Sequence, residues 1–537
     1  MSTVAPPADW RRLDPRTVLV TALVVAGVVA GAAVPLTLGL TRWFSLPVAV
    51  LQVLAGAVLV IAVAAGADRV RWHRTRYRIG QEHVDLHTGL LLVKRRSLAR
   101  DRVRTVDLTA NPMLRLLGLV TVRIGTGEQG SESTLELDPV TRAEGERLRR
   151  LLLDRAATTP AGGVHHEGEL AVLDPRWIRY APVSFVAPML GGAAAGAVMQ
   201  VSEWVGAQGQ VIEWVGDRFR DTPLLWTIIA LVLAALVAGV LGALGLWIEM
   251  WWNYRLEREP GGTLRVRRGL FTSRSISVEE ARLRGVDLVE PLGVRLLGAA
   301  RLDAITTGLA KDHEARNADH NTLLPVAPRT RADTVAADVL READTPTGAT
   351  LTPHPRAARG RRLRWSLAAV LGPVLILTLL GALLTPVLLW IALGCAVAAV
   401  PVAVMLALDA YRALGHALSG RYLVTRSGTL RRSTAALERA GVIGWTVKQS
   451  VFQRRAGLLS VTATTAAGGG AYTAYDTDAS EGLTFAAEAV PGLLEPFLER
   501  SPRAPEARGG QPPCVVSMTQ KRLPSGSAST TKSGSGG

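Results

Sequence analysis

The chain has 537 residues, 48% of them hydrophobic, and its 61 Lys and Arg against 45 Asp and Glu give a net charge of +16. A mean hydropathy of +0.22 in so charged a chain excludes a disordered, collagen-like or coiled-coil protein and requires the apolar residues to gather into blocks. Only five basic residues are lysines (Lys94, Lys311, Lys448, Lys521, Lys532), an arginine bias that does not point to a polyanion, so no nucleic-acid partner is expected. The two cysteines, Cys395 in an apolar block and Cys514 in a Gly/Ser-rich tail, exclude a disulfide or zinc framework.

In chain order, a short N-terminus (1–16) precedes two uncharged blocks, Thr17 to Thr41 and Trp43 to Ala67, which read as a first transmembrane hairpin over 17–67. A soluble segment (72–155) and a linker (156–176) lead to a second hairpin over 177–250, built from Tyr180 to Ser202 and Thr222 to Ile248 around an outer loop, 203–221. A second soluble segment (251–343) and a basic linker (344–364) precede a third hairpin over 365–410, from the double-length block Trp365 to Leu408 with its turn near Gly381 to Pro386. A third soluble segment (420–500) and a tail (501–537), whose Gly, Ser and Pro content predicts disorder, complete the chain. About 20 helical residues cross a hydrocarbon core of roughly 30 Å, so six spans are expected.

Arginines cluster at one end of each hairpin: Arg11, Arg12 and Arg16, then Arg69, Arg71, Arg74 and Arg76, then Arg176 and Arg179, then Arg356, Arg359, Arg361, Arg362 and Arg364. The bias of basic residues toward the cytoplasm puts both termini and all soluble segments on the inner face of a bacterial cell membrane. The span interiors carry no ionisable residue, which argues against ion-coupled transport. Gln52 suits a hydrogen bond between helices, and Gly27, Gly31, Gly191, Gly192, Gly242 and Gly245 suit close helix packing.

The soluble segments repeat. The first contains Tyr77-Arg78-Ile79, Gly89-Leu90, Arg96-Ser97-Leu98, Arg102 to Val106 with Asp107, and Arg115-Leu116-Leu117-Gly118-Leu119 before the strand-like Val120 to Ile124. The second contains Gly269-Leu270, Leu283-Arg284-Gly285-Val286-Asp287 and Arg295-Leu296-Leu297-Gly298-Ala299. The third contains Tyr422-Leu423-Val424, Val442 to Trp445 and Arg454-Arg455-Ala456-Gly457-Leu458. Short alternating runs between Gly-rich turns, followed by an amphipathic stretch, predict a β-roll closed by a helix in each copy. That helix is expected over about Pro139 to Leu153 in copy one, with Leu148, Leu151 and Leu152 inward. In copy three it is expected along Phe485, Ala489, Leu493 and Phe497, shortened or bent by Pro491 and Pro496.

This order of motifs resembles the YdbS-like bacterial pleckstrin-homology (PH) domain, and over residues 10 to 500 the chain is similar to YdbT-type membrane proteins of that family. The resemblance implies PH-like β-rolls with a C-terminal helix and a non-catalytic membrane protein; it implies no catalytic residue or cofactor. The third copy departs from the pattern, with Arg455-Ala456 where Leu-Leu is expected. The fold class is thus a multi-pass α-helical membrane protein with α+β soluble domains.

Other motifs carry little chemistry. Gly125-Thr126-Gly127-Glu128-Gln129-Gly130 matches the dinucleotide string, but strand-like sequence follows where a helix is needed, so it reads as a turn. His83 with His87, His165-His166-Glu167, and His313 with Asp319 and His320 lack metal-ligand spacing, and no metal site is assigned. Basic clusters at Lys94, Arg95 and Arg96, at Arg265, Arg267 and Arg268, and at Arg431 and Arg432 are the candidate contacts for anionic lipid or a protein partner. Trp204 and Trp214 are candidate outer-face contacts. The expected role is a non-catalytic scaffold in the lipid bilayer that binds a membrane protein, a peptide, anionic lipid or a second copy of itself. An envelope transporter or transport accessory for a hydrophobic or lipid-like substrate is the alternative.

Overall fold

Uninterrupted apolar sequence sets the longest elements. The structure, a computed structural model, describes residues 10–80, 82–89, 94–103, 105–125, 134–153, 168–183, 186–204, 206–307 and 321–497. The Gly125–Gly130 string beyond its first residue, Leu90, the 165–167 and 313–320 histidine groups and the tail 501–537 lie outside the described residues. The described residues fall into two compact units, one comprising Met1–Leu351, Ser419–Gly441 and Thr465–Gly470, the other Thr352–Leu418, Val442–Thr464 and Ala471–Gly537.

In the first unit, copy one runs β1 (Arg11–Arg12), α1 (Thr17–Leu40), α2 (Leu46–Arg74), β2 (Arg76–Ile79), β3 (His83–Thr88), β4 (Lys94–Ala99), β5 (Thr105–Ala110), α3 (Pro112–Leu116), β6 (Leu119–Gly125), β7 (Thr134–Thr141) and α4 (Arg142–Leu153). Copy two runs β8 (Gly168–Val172), α5 (Val186–Trp204), α6 (Gln208–Arg218), α7 (Leu224–Trp251), β9 (Arg255–Glu259), β10 (Thr263–Arg268), β11 (Ser273–Glu279), β12 (Leu283–Pro291), α8 (Leu292–Leu296), β13 (Ala299–Thr306), β14 (Thr322–Pro328) and α9 (Arg329–Leu340). Copy three contributes α10 (Arg356–Leu383), α11 (Pro386–Arg412), β15 (Gly415–Ser419), β16 (Tyr422–Ser427), β17 (Arg431–Glu438), β18 (Val442–Lys448), α12 (Val451–Arg455), β19 (Leu458–Thr465), β20 (Ala471–Asp478) and α13 (Ala479–Ala489). Strands β16 and β17 belong to the first unit.

Among the described residues five helices, α1, α2, α7, α10 and α11, are long and apolar enough to cross a membrane. The expected sixth, over Tyr180 to Ser202, differs: Pro175–Val183 is a 3₁₀ segment, and its axis is turned 66° from that of α5. Pro182 and Pro188 lack the amide hydrogens a continuous helix needs here. The 203–221 loop holds the 11-residue helix α6. The helices also run past the uncharged blocks, so α2, α7 and α11 carry Asp68, Glu249 and Asp409 near their C-terminal ends. Helices α5 and α7 pack closely: a Cβ at Gly191 would stand 2.2 Å from the Ala235 carbonyl oxygen, and one at Gly239 2.0 Å from that of Ala187. Gly27, Gly31, Gly192 and Gly245 face open space and Gln52 is exposed, so close packing rests on Gly191, on Gly242 against Leu190, and on Gly239, which the sequence did not single out.

The sheets are antiparallel, and they do not stay within a copy. A seven-stranded sheet runs β7-β6-β5-β11-β10-β9-β8, joining the second half of copy one to the first half of copy two. Its seam pairs Ala110 with Ser273, Thr109 with Arg274 and Leu108 with Ser275. The same exchange recurs one copy later as β14-β13-β12-β17-β16, with β12 and β17 in register from Gly285 with Leu437 to Pro291 with Arg431. The sheets of copies one and two are therefore each continued by strands of the next copy rather than closed on themselves. In copy one, α4 starts at Arg142 because β7 continues through Pro139, and it buries Leu148 and Leu152 against Val106, Leu108, Val122 and Ile124. Gly145 lets α4 close on Val120 and Leu108.

In the second unit β18, β19 and β20 form a three-stranded sheet, and α13 packs Leu483 and Ala486 on Leu459 and Val461. Helix α13 stops at Ala489 ahead of Pro491, and Leu494, not Leu493, returns to the core. The buried Asp476 accepts from Arg361 at 2.7 Å and from Gln453 at 2.8 Å, which ties β20 to the start of α10.

Candidate functional site

Helix α7 ends in Trp251, and the chain turns through Asn253 into β9. The carboxylate of Glu249, in the last turn of α7, accepts from the amides of Phe271 and Thr272, both at 2.9 Å, and so pins the β10–β11 turn to the membrane helix. The turn requires glycine at its start: Gly269 has φ of 112°, and a Cβ there would stand 1.9 Å from the Thr272 carbonyl oxygen. Gly428, at the matching place between β16 and β17, has φ of 98° and the same conflict with Arg431. The arginine of the Arg-Leu-Leu-Gly motif in one copy donates to the next copy's turn, Arg115 to the Leu270 carbonyl and Arg295 to that of Thr429.

Between these parts lies a cleft of about 330 Å³, lined by Arg115, Arg142, Arg255, Arg265, Arg267, Arg268 and Arg274. Glu146 is the one acidic side chain among the described lining residues, and it is held by Arg265 and Arg149. Arg149 and Arg265 are buried, and each bonds both Glu146 and Glu259, an ion-pair lattice that joins α4 to β9 and β10. Burial alone would raise the Glu146 and Glu259 carboxyls; the hydrogen bonds and charges of Arg149 and Arg265 outweigh it and hold both below the ordinary range. Burial and the neighbouring Arg265 charge lower the Arg267 guanidinium, a sign of crowded positive potential. Arg268 lies over the Trp251 ring with Cζ 4.4 Å from its centroid.

The structure thus divides the sequence-named cluster of copy two. Arg267 is exposed to the cleft, whereas Arg265, on the same face of β10, is buried by its ion pairs with Glu146 and Glu259, and Arg268, on the opposite face, is buried against Trp251. Lys94 and Arg95 are exposed on β4, and Arg96 donates to the Thr134 carbonyl at 3.1 Å. Arg431 stands 3.9 Å from Asp303 on β13, and Arg432 is in register with Glu290. None of these five lines the cleft. Trp204, at the end of α5, and Trp214, on α6, are both exposed. His83 and His87 lie on β3, and among the described residues no group of three or more His, Cys, Asp or Glu is placed to hold a metal. Arg115, Arg142, Arg255 and Arg274 were not singled out as site residues, because they come together only through the exchange of strands between copies. A second cleft of about 410 Å³ mixes Arg71 with Glu136 and Asp138 and has no single sign of charge.

The joint between copies two and three has the same geometry and different charge. Glu290 takes the register position of Ala110, and it is buried with Arg329, the counterpart of Arg142 at the start of the closing helix, donating to it at 2.7 Å. Glu290 thus adds a buried negative charge that the first joint lacks, although burial and the charges of Arg432 and Arg329 still lower the Arg426 guanidinium at the second joint.

Three stretches, residues 18–156, 204–343 and 367–487, match the bacterial PH domain. The chain belongs to the bacterial PH-domain family. Each PH-domain match takes in apolar helix as well as the sheet that follows, in keeping with one unit repeated three times. The UPF0699 transmembrane protein YdbT of Bacillus subtilis (strain 168) is 28% identical over 102 residues, 19% of this chain and 20% of that relative. The chain therefore aligns with about a fifth of the curated relative's length. No solved structure matches this PH-domain protein. Together with the apolar helices, these likenesses make it an α+β membrane protein of repeated bacterial PH domains.

Proposed function

We propose that the chain is a non-catalytic scaffold of the bacterial cell membrane, with three hairpins holding PH domains at the cytoplasmic face, and that the arginine cleft of the first joint binds the phosphate of an anionic phospholipid headgroup. The observation that carries this reading is the cleft lined by seven arginines, one of them, Arg265, already held in ion pairs, beside the end of α7 that this topology puts at the inner leaflet. Arginine suits it because its planar fork donates in pairs to phosphate oxygens. Each basic group near an anionic surface contributes about 1 kcal/mol.

The full chain in nanodiscs tests this, with retained phosphatidylglycerol counted by native mass spectrometry against phosphatidylcholine. Preference for phosphatidylglycerol, reduced about tenfold by Arg142→Gln with Arg267→Gln and unchanged by Arg431→Gln, is expected. Equal retention of both lipids, or capture of an acidic protein in place of lipid, overturns the lipid assignment. Arg265→Met is a contrasting variant: breaking a buried pair costs about 3 to 5 kcal/mol, so it lowers the melting temperature, which Arg267→Gln leaves within the ~0.5 kcal/mol of a surface change.

A further inference from the structure

The short helix of each Arg-Leu-Leu-Gly motif, or its counterpart in copy three, turns large apolar side chains outward. Leu116 on α3 is 79% exposed, Leu296 on α8 78% and Phe452 on α12 62%. Met113, Leu297 and Val451 extend these patches, and Phe271 and Leu430 at the β10–β11 and β16–β17 turns are exposed as well. Isolated exposed leucines are ordinary, but Leu116 and Leu296 share one structural position in two copies, and in copy three, where Arg455 takes that position, Phe452 at the position of Met113 is exposed on the same short helix.

In copies one and three this short helix is joined to the base of a membrane-length helix, and in copy two it meets the 3₁₀ segment Pro175–Val183 that precedes α5. Arg16, the N-cap of α1, donates to the Leu117 carbonyl at 3.0 Å, and Val20 of α1 packs on the same core as Leu117. Gly293 of α8 touches Val183, ahead of α5; a Cβ there would stand 2.4 Å from the Val183 carbonyl oxygen. In the second unit Ala456 and Leu458, next to α12, pack with Ala358 of α10 and with Tyr411 and Leu414 at the end of α11. The turns are bound to the same places: the Leu292 amide, opening α8, donates to the Leu430 carbonyl at 2.8 Å. Arginines accompany each patch, Arg115, Arg295 and Arg454, with stems long enough for their charge to reach phosphate while apolar neighbours lie deeper.

We infer that α3, α8 and α12 are interfacial feet, whose outward apolar side chains occupy the boundary between headgroups and acyl chains of the bilayer. The occupant is lipid because the patches sit on short helices bound to the ends of apolar helices, α1 in copy one and α10 and α11 in copy three. A depth on the order of 5–10 Å below the headgroups is typical of such apolar faces. Each foot fixes the tilt of its PH domain against the membrane, a constraint that a hairpin linked by a single chain crossing does not supply. The inference does not depend on the anionic-lipid reading, since zwitterionic lipid meets the same apolar demand.

The test uses the full chain with Cys395→Ser and Cys514→Ser, in nanodiscs of phosphatidylcholine alone, carrying one environment-sensitive fluorophore at Leu116→Cys, Leu296→Cys or Phe452→Cys. Arg123→Cys on β6, a half-exposed position away from any foot, is the control. Blue-shifted emission, quenched at least twofold by lipid bearing a nitroxide high on its acyl chain, is expected at all three feet and not at 123. Emission at the feet that matches the control in wavelength and quenching overturns the inference. Leu116→Ser and Leu296→Ser, unlabelled, check that the positions tolerate change: their melting temperatures in detergent stay at that of the parent.

Discussion

At the residue scale, the repeat keeps geometry and varies charge. Asp107 on β5 and Asp287 on β12 occupy the same position in the Val-Asp-Leu run, one strand from the following copy. Burial pushes the Asp107 carboxyl up to about 7, with Arg123 and a backbone bond from Ser277 opposing. Burial pushes Asp287 up to about 6; the Ser433 hydroxyl, donating to it at 2.5 Å, opposes the rise and the Asp303 charge adds to it. The change from Arg123 on β6 to Asp303 on β13 by itself favours the higher value at Asp287; the Ser433 hydrogen bond and the charges of Arg431 and Arg301 oppose it. A carboxyl raised in the folded state binds its proton more tightly there than in the unfolded chain. Its full contribution to stability is therefore present below 3.8, the unfolded value, and is lost as pH rises toward about 7 for Asp107. Asp107→Asn is expected to leave the melting temperature unchanged at acid pH near that value and to raise stability at pH 8 by about 1 to 3 kcal/mol, each pKa unit being worth ~1.4 kcal/mol. Thermal melts in detergent across that range check it, and an equal shift at both ends would show that Asp107 is not the titrating group.

At the element scale, helices meet their neighbours through small residues. Ala187 and Gly191 on α5 face Ala235 and Gly239 on α7 so closely that backbone oxygens stand where side chains would be. Without water to drive apolar helices together in lipid, such close approach supplies the packing that holds a pair. The closing helices use the same device at Gly145 and Gly482. Gly239→Val puts a branched side chain on the Ala187 carbonyl with no flexible atom to yield, and is expected to force α5 and α7 apart. A loss of about 2 kcal/mol or more follows from overpacking of this kind. Gly245→Val faces open space and is the control. Cross-linking between cysteines at 190 and 238, with melting in detergent, reads both, and equal behaviour of the two variants would refute the packing argument.

At the scale of the whole molecule, the apolar blocks, the charge bias and the repeated motifs made the helices, the α+β class and the family legible, because each depends on residues close in sequence. The 66° turn before α5 was less legible, since Pro182 and Pro188 sit within an otherwise uncharged run. Strand exchange could not be read at all. An alternating run such as Leu283 to Pro291 fits a neighbour in its own copy or in the next equally well, and the partner is decided by distant register. The cleft followed the same fate: Arg267 was visible as part of a basic run, but Arg142 and Arg274 reach it from different copies. Exchange also removes edges, because β5 and β12 would each end a sheet in an isolated roll and expose unpaired amides. With β17 laid along β12 from Gly285 to Pro291, amides on both sides of β12 are bonded. Hydrogen exchange on the full chain in nanodiscs is therefore expected to show residues 285–290 protected as strongly as their β13 partners. Residues 94–99 of β4, which ends its own sheet, should exchange faster. Alternate amides of 285–290 exchanging at the rate of β4 would mean that the copies close separately, and the arginine cleft, which needs the corresponding β5–β11 seam, would lose its frame with them.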